Sequence, residues 1–543
     1  MREFIVPTLA EREPFHENAG MRILHTSDLH LGHTLAQQSR AAEQRYMLDS
    51  LVRIVHDRRV EAVLISGDLY DSATPPIAAR RLYFDFLRAL ADTGCRTLIV
   101  TGGNHDSPSL LEVTRGLMAA IPTMHIHQIG AVEGHSPEEL VIPLTDADDQ
   151  VAAIVVAVPH LRLRDASPAG YAAGTDAAAR IAAYISGVRN VYTSLTETAF
   201  RMREKLAETS DAATPPGRPI PILAMGHFHA GGGVIGESER EPIGNLDAIP
   251  VDVFPPTIAR VLLGHLHRRQ TLTDAAGHTD RIQYCGTPIP LDFSEADRRR
   301  GVLLYETGGG NRDSAENAMA DDVEFVEIPP PPFRRLLNLR GTLTQVGEQL
   351  DRFAAASPEF VSRPESSATP FFGSVASPKM AIRGTTSDDD GNFGDERPEA
   401  WLQVLLNGSE FVVDPVGEVE RLLKDRGLAE RVQPLVVRLE ASDIAAFHGD
   451  GDVRNDDDKS DDGSATPARS LRDFSPRVVF ESLLDQRIPR PATPDNSVEN
   501  STECDQVAES SEHDTLRRDL LDDFDLMLRE FRESDSSPNP GTV

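Results

Sequence analysis

Five short stretches of this 543-residue chain carry side chains suited to holding cations: Asp28-Leu29-His30, Asp68, Asn104-His105-Asp106, His227 and His265-Leu266-His267. In an extended segment residues i and i+2 point the same way, so Asp28 with His30, and His265 with His267, can each offer two ligands to one cation. The carboxylate of Asp68 has two oxygens and can bridge two cations. A mixed set of carboxylate, amide and imidazole suits Mn²⁺, Fe or Zn²⁺ better than Ca²⁺. Each stretch alone has an ordinary explanation: a Gly-Asp after a strand is a turn, and an Asn-His-Asp is a helix cap. Their order, and their shared position at strand ends, argue for one site.

The elements that must position them follow from hydrophobic spacing. Residues 22–26, 60–66 and 96–101 are short apolar runs with the β-branched content of buried strands, and each ends in one of the motifs. Helical apolar spacing fills residues 40–59 and 76–92 between them, so the pattern is a series of βαβ units. In such sheets ligands bind beyond the carboxyl ends of the strands. Strands are predicted at 151–158, 220–225 and 259–263, a long helix at 176–208, and further strands of the second sheet at 281–286 and 302–305. The proline run 329–332 marks a domain boundary. Beyond it, strands at 336 onward, 401–406 and 435–439 with helices between them make a small α+β domain over 336–490. It is split by polar, disordered inserts at 362–399 and 448–470. Residues 1–20 read as a disordered leader. Residues 478–484 read as a short helix, and 491–543 as a polar linker with an amphipathic helix at 514–533, fit to dock on a partner.

Bulk properties narrow the field. The three Cys (Cys95, Cys285, Cys504) show no paired spacing, which suits a reducing, cytoplasmic compartment and excludes a disulfide frame. No apolar run reaches 18 residues, so no membrane span is expected. The net charge of −32 argues against a simple nucleic-acid binder. Much of that charge is local: residues 448–543 hold 24 Asp+Glu against 11 Lys+Arg. If DNA is the substrate, cations or a partner must supply part of the positive field.

Taken in order, Asp28-x-His30, Gly67-Asp68, Gly103-Asn104-His105-Asp106, Gly226-His227 and Gly264-His265-x-His267 resemble the calcineurin-like metallophosphoesterase superfamily. Within it, MRILHTSDLHLG, GDLYD, TGGNHDS, GHLHRRQ and YCGTPIPLDF are similar to the bacterial SbcD family of nuclease subunits. The resemblance is strong over 21–330 and fainter over 336–490. It implies a four-layer α/β/β/α sandwich followed by a small α+β capping domain. It also implies that Asp28, His30, Asp68 and His267 hold one metal ion and that Asp68, Asn104, His227 and His265 hold the other, with Mn²⁺ favoured. His105 would then serve the scissile phosphate without binding metal, and Asp106 would orient its ring or cap the next helix. The family further implies 3′→5′ exonuclease action on double-stranded DNA and endonuclease action on single strands and hairpins. Its members work as a homodimer with an SbcC-like ATPase in DNA recombination, replication and repair.

Other residues are read as structural: His25 as a packed strand histidine, His33 as a loop residue, Cys95 and Cys285 as small buried side chains, Trp401 as core of the capping domain. His229 copies the His-x-His spacing but lies outside the family pattern. The rival functions are a phosphatase of the same fold acting on a non-DNA phosphoester, and an inactive scaffold for the ATPase.

Overall fold

In the computed structural model the described residues are 20–118, 123–166, 175–209, 220–236, 248–307, 323–331, 333–356, 400–407 and 414–440. Residues 1–19 of the expected leader, both inserts, the 478–484 helix and the C-terminal amphipathic helix lie outside them.

The first sheet is built on the parallel strands β1 (Arg22–Thr26), β2 (Ala62–Ser66), β3 (Thr97–Thr101) and β4 (His125–Ile129). Parallel neighbours need crossover connections, and α1 (Ala41–Arg58), α2 (Ile77–Ala91) and α3 (Pro108–Met118) lie between them in the chain. The second sheet has β5 (Val141–Thr145) antiparallel to β6 (Val151–Ala157), then β7 (Ile222–His227) and β8 (Arg260–Gly264) in parallel. It ends in β9 (Gln270–Leu272) and β10 (Ile282–Tyr284), and the long helix α4 (Ala177–Thr209) joins β6 to β7. One expectation needs correction. The strand predicted at 302–305, now β11 (Gly301–Glu306), does not extend the second sheet. It returns to the first, antiparallel to β1, and carries β12 (Glu324–Glu327) at the edge. A short apolar run carries no mark of which sheet it will join; here it runs beside β1, and just past its end Thr307 N–H donates to the Met21 oxygen.

Side-chain alternation along the strands makes four layers. Ile23, Leu64 and Ile99 point between the sheets into a core with Val155, Leu223 and Leu262. Leu24, Val63, Ile65, Leu98 and Val100 point the other way. They meet Met47, Leu48, Leu51, Val52 and Val55 of α1 and Leu82, Tyr83, Phe86, Leu87 and Leu90 of α2, each set spaced to form one helix face. On the far side, Tyr184, Val188, Tyr192, Leu195 and Ala199 form the face of α4 that packs on the outer face of the second sheet. Burying each large side chain contributes about 1.5–3 kcal/mol, so the sandwich is a stiff base for the loops above it.

A third sheet has parallel strands β13 (Arg335–Gly341), β14 (Ala400–Asn407) and β15 (Val432–Glu440). Helices α5 (Leu343–Ala356) and α6 (Pro415–Asp425) help enclose its own core of Leu339, Val346, Leu350, Leu402, Val404, Val419 and Leu423. Trp401 is not in that core. It packs with Leu35 and Phe293 of the main body, under the Arg334 guanidinium at 4.0 Å from its ring centre. No helix among the described residues is long and apolar enough to cross a membrane.

Candidate metal centre

The site lies where the carboxyl ends of β1, β2 and β3 face those of β7 and β8. Non-glycine residues there hold left-handed backbone: Asp28 (φ 54°), His30 (φ 43°), Asp68 (φ 47°) and His265 (φ 95°). Such conformations cost on the order of 1–3 kcal/mol each and persist only where neighbours over-determine them. The neighbours are visible. Asp28 N–H donates to Gly67 O at 3.1 Å and His30 N–H to Asp68 O at 3.0 Å, so the first two loops run side by side. Asp106 ties the second loop to the third: its carboxylate accepts from Gly103, Leu69 and Tyr70 N–H at 2.9, 3.0 and 2.9 Å. It therefore neither orients His105 nor caps a helix. Two glycines leave room for the ligands. A Cβ on Gly67, whose φ is +81°, would lie 2.0 Å from His227 Nδ1, and one on Gly103 would lie 2.0 Å from Asp68 Oδ1.

Every expected ligand is in this cluster. Ligand atoms of Asp28, His30 and His267 lie within 4.8 Å of one another, as do those of Asp28, Asp68 and His227. His227 Nε2 is 2.9 Å from Asn104 Oδ1 and 3.3 Å from Asp68 Oδ2, and His265 Nδ1 is 3.1 Å from the same Asn104 oxygen. His30 Nε2 faces Asp68 Oδ2 at 3.6 Å. Asp68, with side-chain contacts to both His30 and His227, stands between the two groups.

The hydrogen bonds decide which ring nitrogens carry lone pairs. His227 Nδ1 lies 2.9 Å from the Ser66 carbonyl oxygen, which can only accept, so Nδ1 carries hydrogen and Nε2 holds the lone pair of the neutral ring. That lone pair then faces two further acceptors, from Asp68 and Asn104. His30 Nδ1 likewise donates to Asp71 Oδ1 at 3.2 Å, and its buried Nε2 has no hydrogen-bond partner. A set of acceptors turned on one another without a donor is unfavourable unless positive charge sits among them. These residues fit divalent cations.

The electrostatics agree. Burial alone would raise the Asp68 carboxyl, but the His227, His30 and His105 rings outweigh it and hold the group well below the usual carboxylate range. Burial alone would lower His227, but the Asp68 carboxylate raises it to about 9. His265 goes the other way, pushed well below the ordinary imidazole range by burial and then by the His227 charge.

His105 sits beside this cluster. Its backbone N–H donates to Asp68 Oδ1 at 2.9 Å and its Nδ1 to the Asp71 carbonyl at 2.8 Å. With His30, Asp68, Asn104, His265 and His267 it lines an open cleft of about 240 Å³. Its ligand atom also falls within 4.8 Å of His30 and Asp68, so the geometry admits it as a ligand as well as a group for substrate.

Sequence reasoning passed over three neighbours. Asp71 accepts from His30 and also from His33 Nδ1 at 3.0 Å. Burial works to raise its carboxyl, and those hydrogen bonds overcome this to hold it below the ordinary range. Glu295 accepts from His267 Nδ1 at 3.1 Å. His33 is the loop residue expected, and it also lines the cleft. Asp71 had a signal, its place in Gly67-Asp68-Leu69-Tyr70-Asp71; Glu295 had none. His25 is buried against Ser66 Oγ at 3.0 Å, and His229 Nε2 meets the Gly233 oxygen at 3.0 Å, apart from the cleft lining. Cys95 and Cys285 are buried thiols; burial pushes Cys95 up to about 12.

A family model described as calcineurin-like phosphoesterase matches residues 21–269. The SbcD component of the SbcCD nuclease of Escherichia coli (strain K12) is 32% identical over 340 residues, 62% of this chain and 76% of that protein. The corresponding SbcCD nuclease component of Rhodobacter capsulatus is 36% identical over 343 residues, with 62% and 76% covered. The chain belongs to the SbcD family. "DNA double-strand break repair protein Mre11" of Methanopyrus kandleri is more distant, 24% identical over 361 residues, 63% of this chain and 67% of that protein. For this SbcD-family chain, the matched segment holds all the proposed ligands, while Glu295 lies beyond the end of the phosphoesterase match.

Proposed function

We propose that the chain is the nuclease subunit of an SbcCD-like complex and hydrolyses DNA phosphodiester bonds with two divalent ions, Mn²⁺ favoured. The observation that carries this is the cluster of mutually facing acceptors around Asp68, in a chain of the SbcD family. Asp28, His30, Asp68 and His267 would hold one ion; Asp68, Asn104, His227 and His265 the other. When bound, such a pair supplies Lewis-acid polarisation of the phosphoryl oxygens and an activated water. The protein's part is to fix these ligands on a rigid sandwich and keep the cleft open to a phosphate. His105 is anchored through Nδ1 to Asp71 O. That leaves Nε2 to meet substrate; with hydrogen on both ring nitrogens it donates a hydrogen bond or proton as the leaving oxygen gains charge.

An SbcC-like ATPase is the proposed partner, with two copies of this chain in the assembly and the cytoplasm as its compartment. The third sheet is the proposed capping domain, seated on the main body through Trp401. Proposed activities are exonuclease action, 3′→5′, on double-stranded ends and endonuclease action on single strands and hairpins. The test is a nuclease assay on linear duplex and hairpin DNA with Mn²⁺ or Mg²⁺, with and without the ATPase partner and ATP. Metal-dependent cutting is expected. Hydrolysis of a phosphomonoester with none of DNA would replace this reading with a phosphatase. Normal partner binding by a chain that takes up no metal would replace it with a scaffold.

A further inference from the structure

His30 and His267 are built alike, and differently from His227 and His265. His30 Nδ1 lies 3.2 Å from Asp71 Oδ1, and His267 Nδ1 lies 3.1 Å from Glu295 Oε1. His227 Nδ1 instead meets a peptide oxygen, that of Ser66 at 2.9 Å, and His265 Nδ1 meets the Asn104 amide oxygen at 3.1 Å. A carboxylate only accepts, so the first two rings carry hydrogen on Nδ1 and present Nε2 as the lone pair. A carboxylate behind an imidazole fixes its orientation and makes it a more basic ligand.

Both carboxylates are themselves held. Glu295 is buried; its Oε2 accepts from Leu291 N–H at 3.0 Å and pairs with Arg300 Nη2 at 3.0 Å. Arg300 Nη1 reaches the His267 carbonyl at 2.5 Å and Thr287 Oγ1 at 2.6 Å, so one ion pair grips both the ring and the backbone of His267. Asp71 Oδ1 also receives His33 Nδ1 at 3.0 Å, and the other nitrogen of His33 meets Leu291 O at 3.0 Å. Leu291 thus joins the two supports, its N–H to Glu295 and its carbonyl to the ring that Asp71 holds.

We propose that Asp71 and Glu295 are positioning residues for one ion of the pair, the one held by Asp28, His30, Asp68 and His267, and that they make it the tighter-bound of the two. This rests on the two-ion reading above. That ion has two carboxylates among its ligands and two carboxylate-backed imidazoles. The other has Asp68, shared, with the Asn104 amide and two imidazoles, of which His227 is backed by the neutral Ser66 oxygen and His265 faces the amide itself.

The test uses the full chain, stripped with EDTA and titrated with Mn²⁺ alone, with free Mn²⁺ read by electron paramagnetic resonance. Wild type is expected to bind two ions in unequal steps. Asp71→Asn and Glu295→Gln should weaken the tighter step by about 10–100-fold, as loss of an outer support does, and leave the other step in place. Nuclease rate in both variants should recover at saturating Mn²⁺, with only the half-saturating concentration raised. Unchanged titrations, or both steps weakened together, would overturn the proposal. Glu295→Gln strands Arg300 in a buried place; if it does not fold, Asp71→Asn, on a partly exposed carboxylate, decides. Wild type binding no Mn²⁺ would overturn the two-ion reading itself, before any variant is compared.

Discussion

Replacing Gly67 by Ala puts a methyl group where the site has no space. The added Cβ would lie 2.0 Å from His227 Nδ1 and 2.4 Å from its Cγ. Ordinary contact begins at about 3.5 Å, so the ring or the loop must give by more than 1 Å. Neither is free to do so. His227 is buried, and its Nδ1 is bonded to Ser66 O, the residue just before the glycine. The backbone adds to the strain, because Gly67 has φ +81°, which costs an L-residue about 1–2 kcal/mol. A shift of about 1 Å in a positioned group can lower a rate by about 10²-fold. Gly67→Ala should therefore bind the His227-side ion weakly and cut DNA at least about 10²-fold more slowly. Titration with Mn²⁺ and a nuclease assay on linear duplex read the two effects. Two ions bound at wild-type affinity, with a wild-type rate, would refute the placement of His227 against this turn.

Two further outcomes are expected. His105→Gln should keep both ions and lose about 10²–10⁴ in rate, whereas His267→Gln should lose metal and activity together; loss of an ion from His105→Gln would make His105 a ligand, and wild-type cutting by it would remove its role. Burial lowers His25 to about 3, so the folded chain keeps it neutral while the unfolded chain protonates it near its ordinary 6.5. Its contribution to stability is then present above about pH 6.5 and lost as pH falls towards about 3, amounting to about 2 kcal/mol by pH 5. Urea midpoints at pH 7 and pH 5 should differ less in His25→Gln than in wild type by that amount, and an equal difference would show that His25 does not titrate this way.

The proposed ligands were legible because each one ends a strand, and a strand end is visible in a short apolar run followed by Gly, Asp, Asn or His. The i, i+2 spacing flagged Asp28/His30 and His265/His267, but the extended backbone it assumed is absent, since Asp28, His30 and His265 have positive φ, and His265 and His267 fall to different proposed ions. Their outer supports were not legible. Asp71 meets His30 across 41 residues of chain, and Glu295 meets His267 across 28. Only the folded loops make those pairs. Asp106 misled for a related reason: adjacency to His105 suggested a partnership, while its oxygens are taken by the backbone of Gly103, Leu69 and Tyr70. The return of β11 to the first sheet was hidden because a buried antiparallel strand and a buried parallel one share the same apolar pattern. Trp401 shows the limit of composition, since a lone tryptophan reads as core of its own segment but here anchors that segment to Leu35 and Phe293.

Everything in this mechanism turns on Asp68 serving two ions at once. The direct measurement is the Mn²⁺ stoichiometry of purified full-length chain, wild type against Asp68→Ala, with DNA cleavage measured on the same samples. Two ions per chain and metal-dependent cutting are expected in wild type, with both ions weakened and cutting abolished in the variant. An Asp68→Ala chain that still binds two Mn²⁺ ions and cuts duplex DNA at the wild-type rate would contradict the bridging role and the two-ion nuclease built on it.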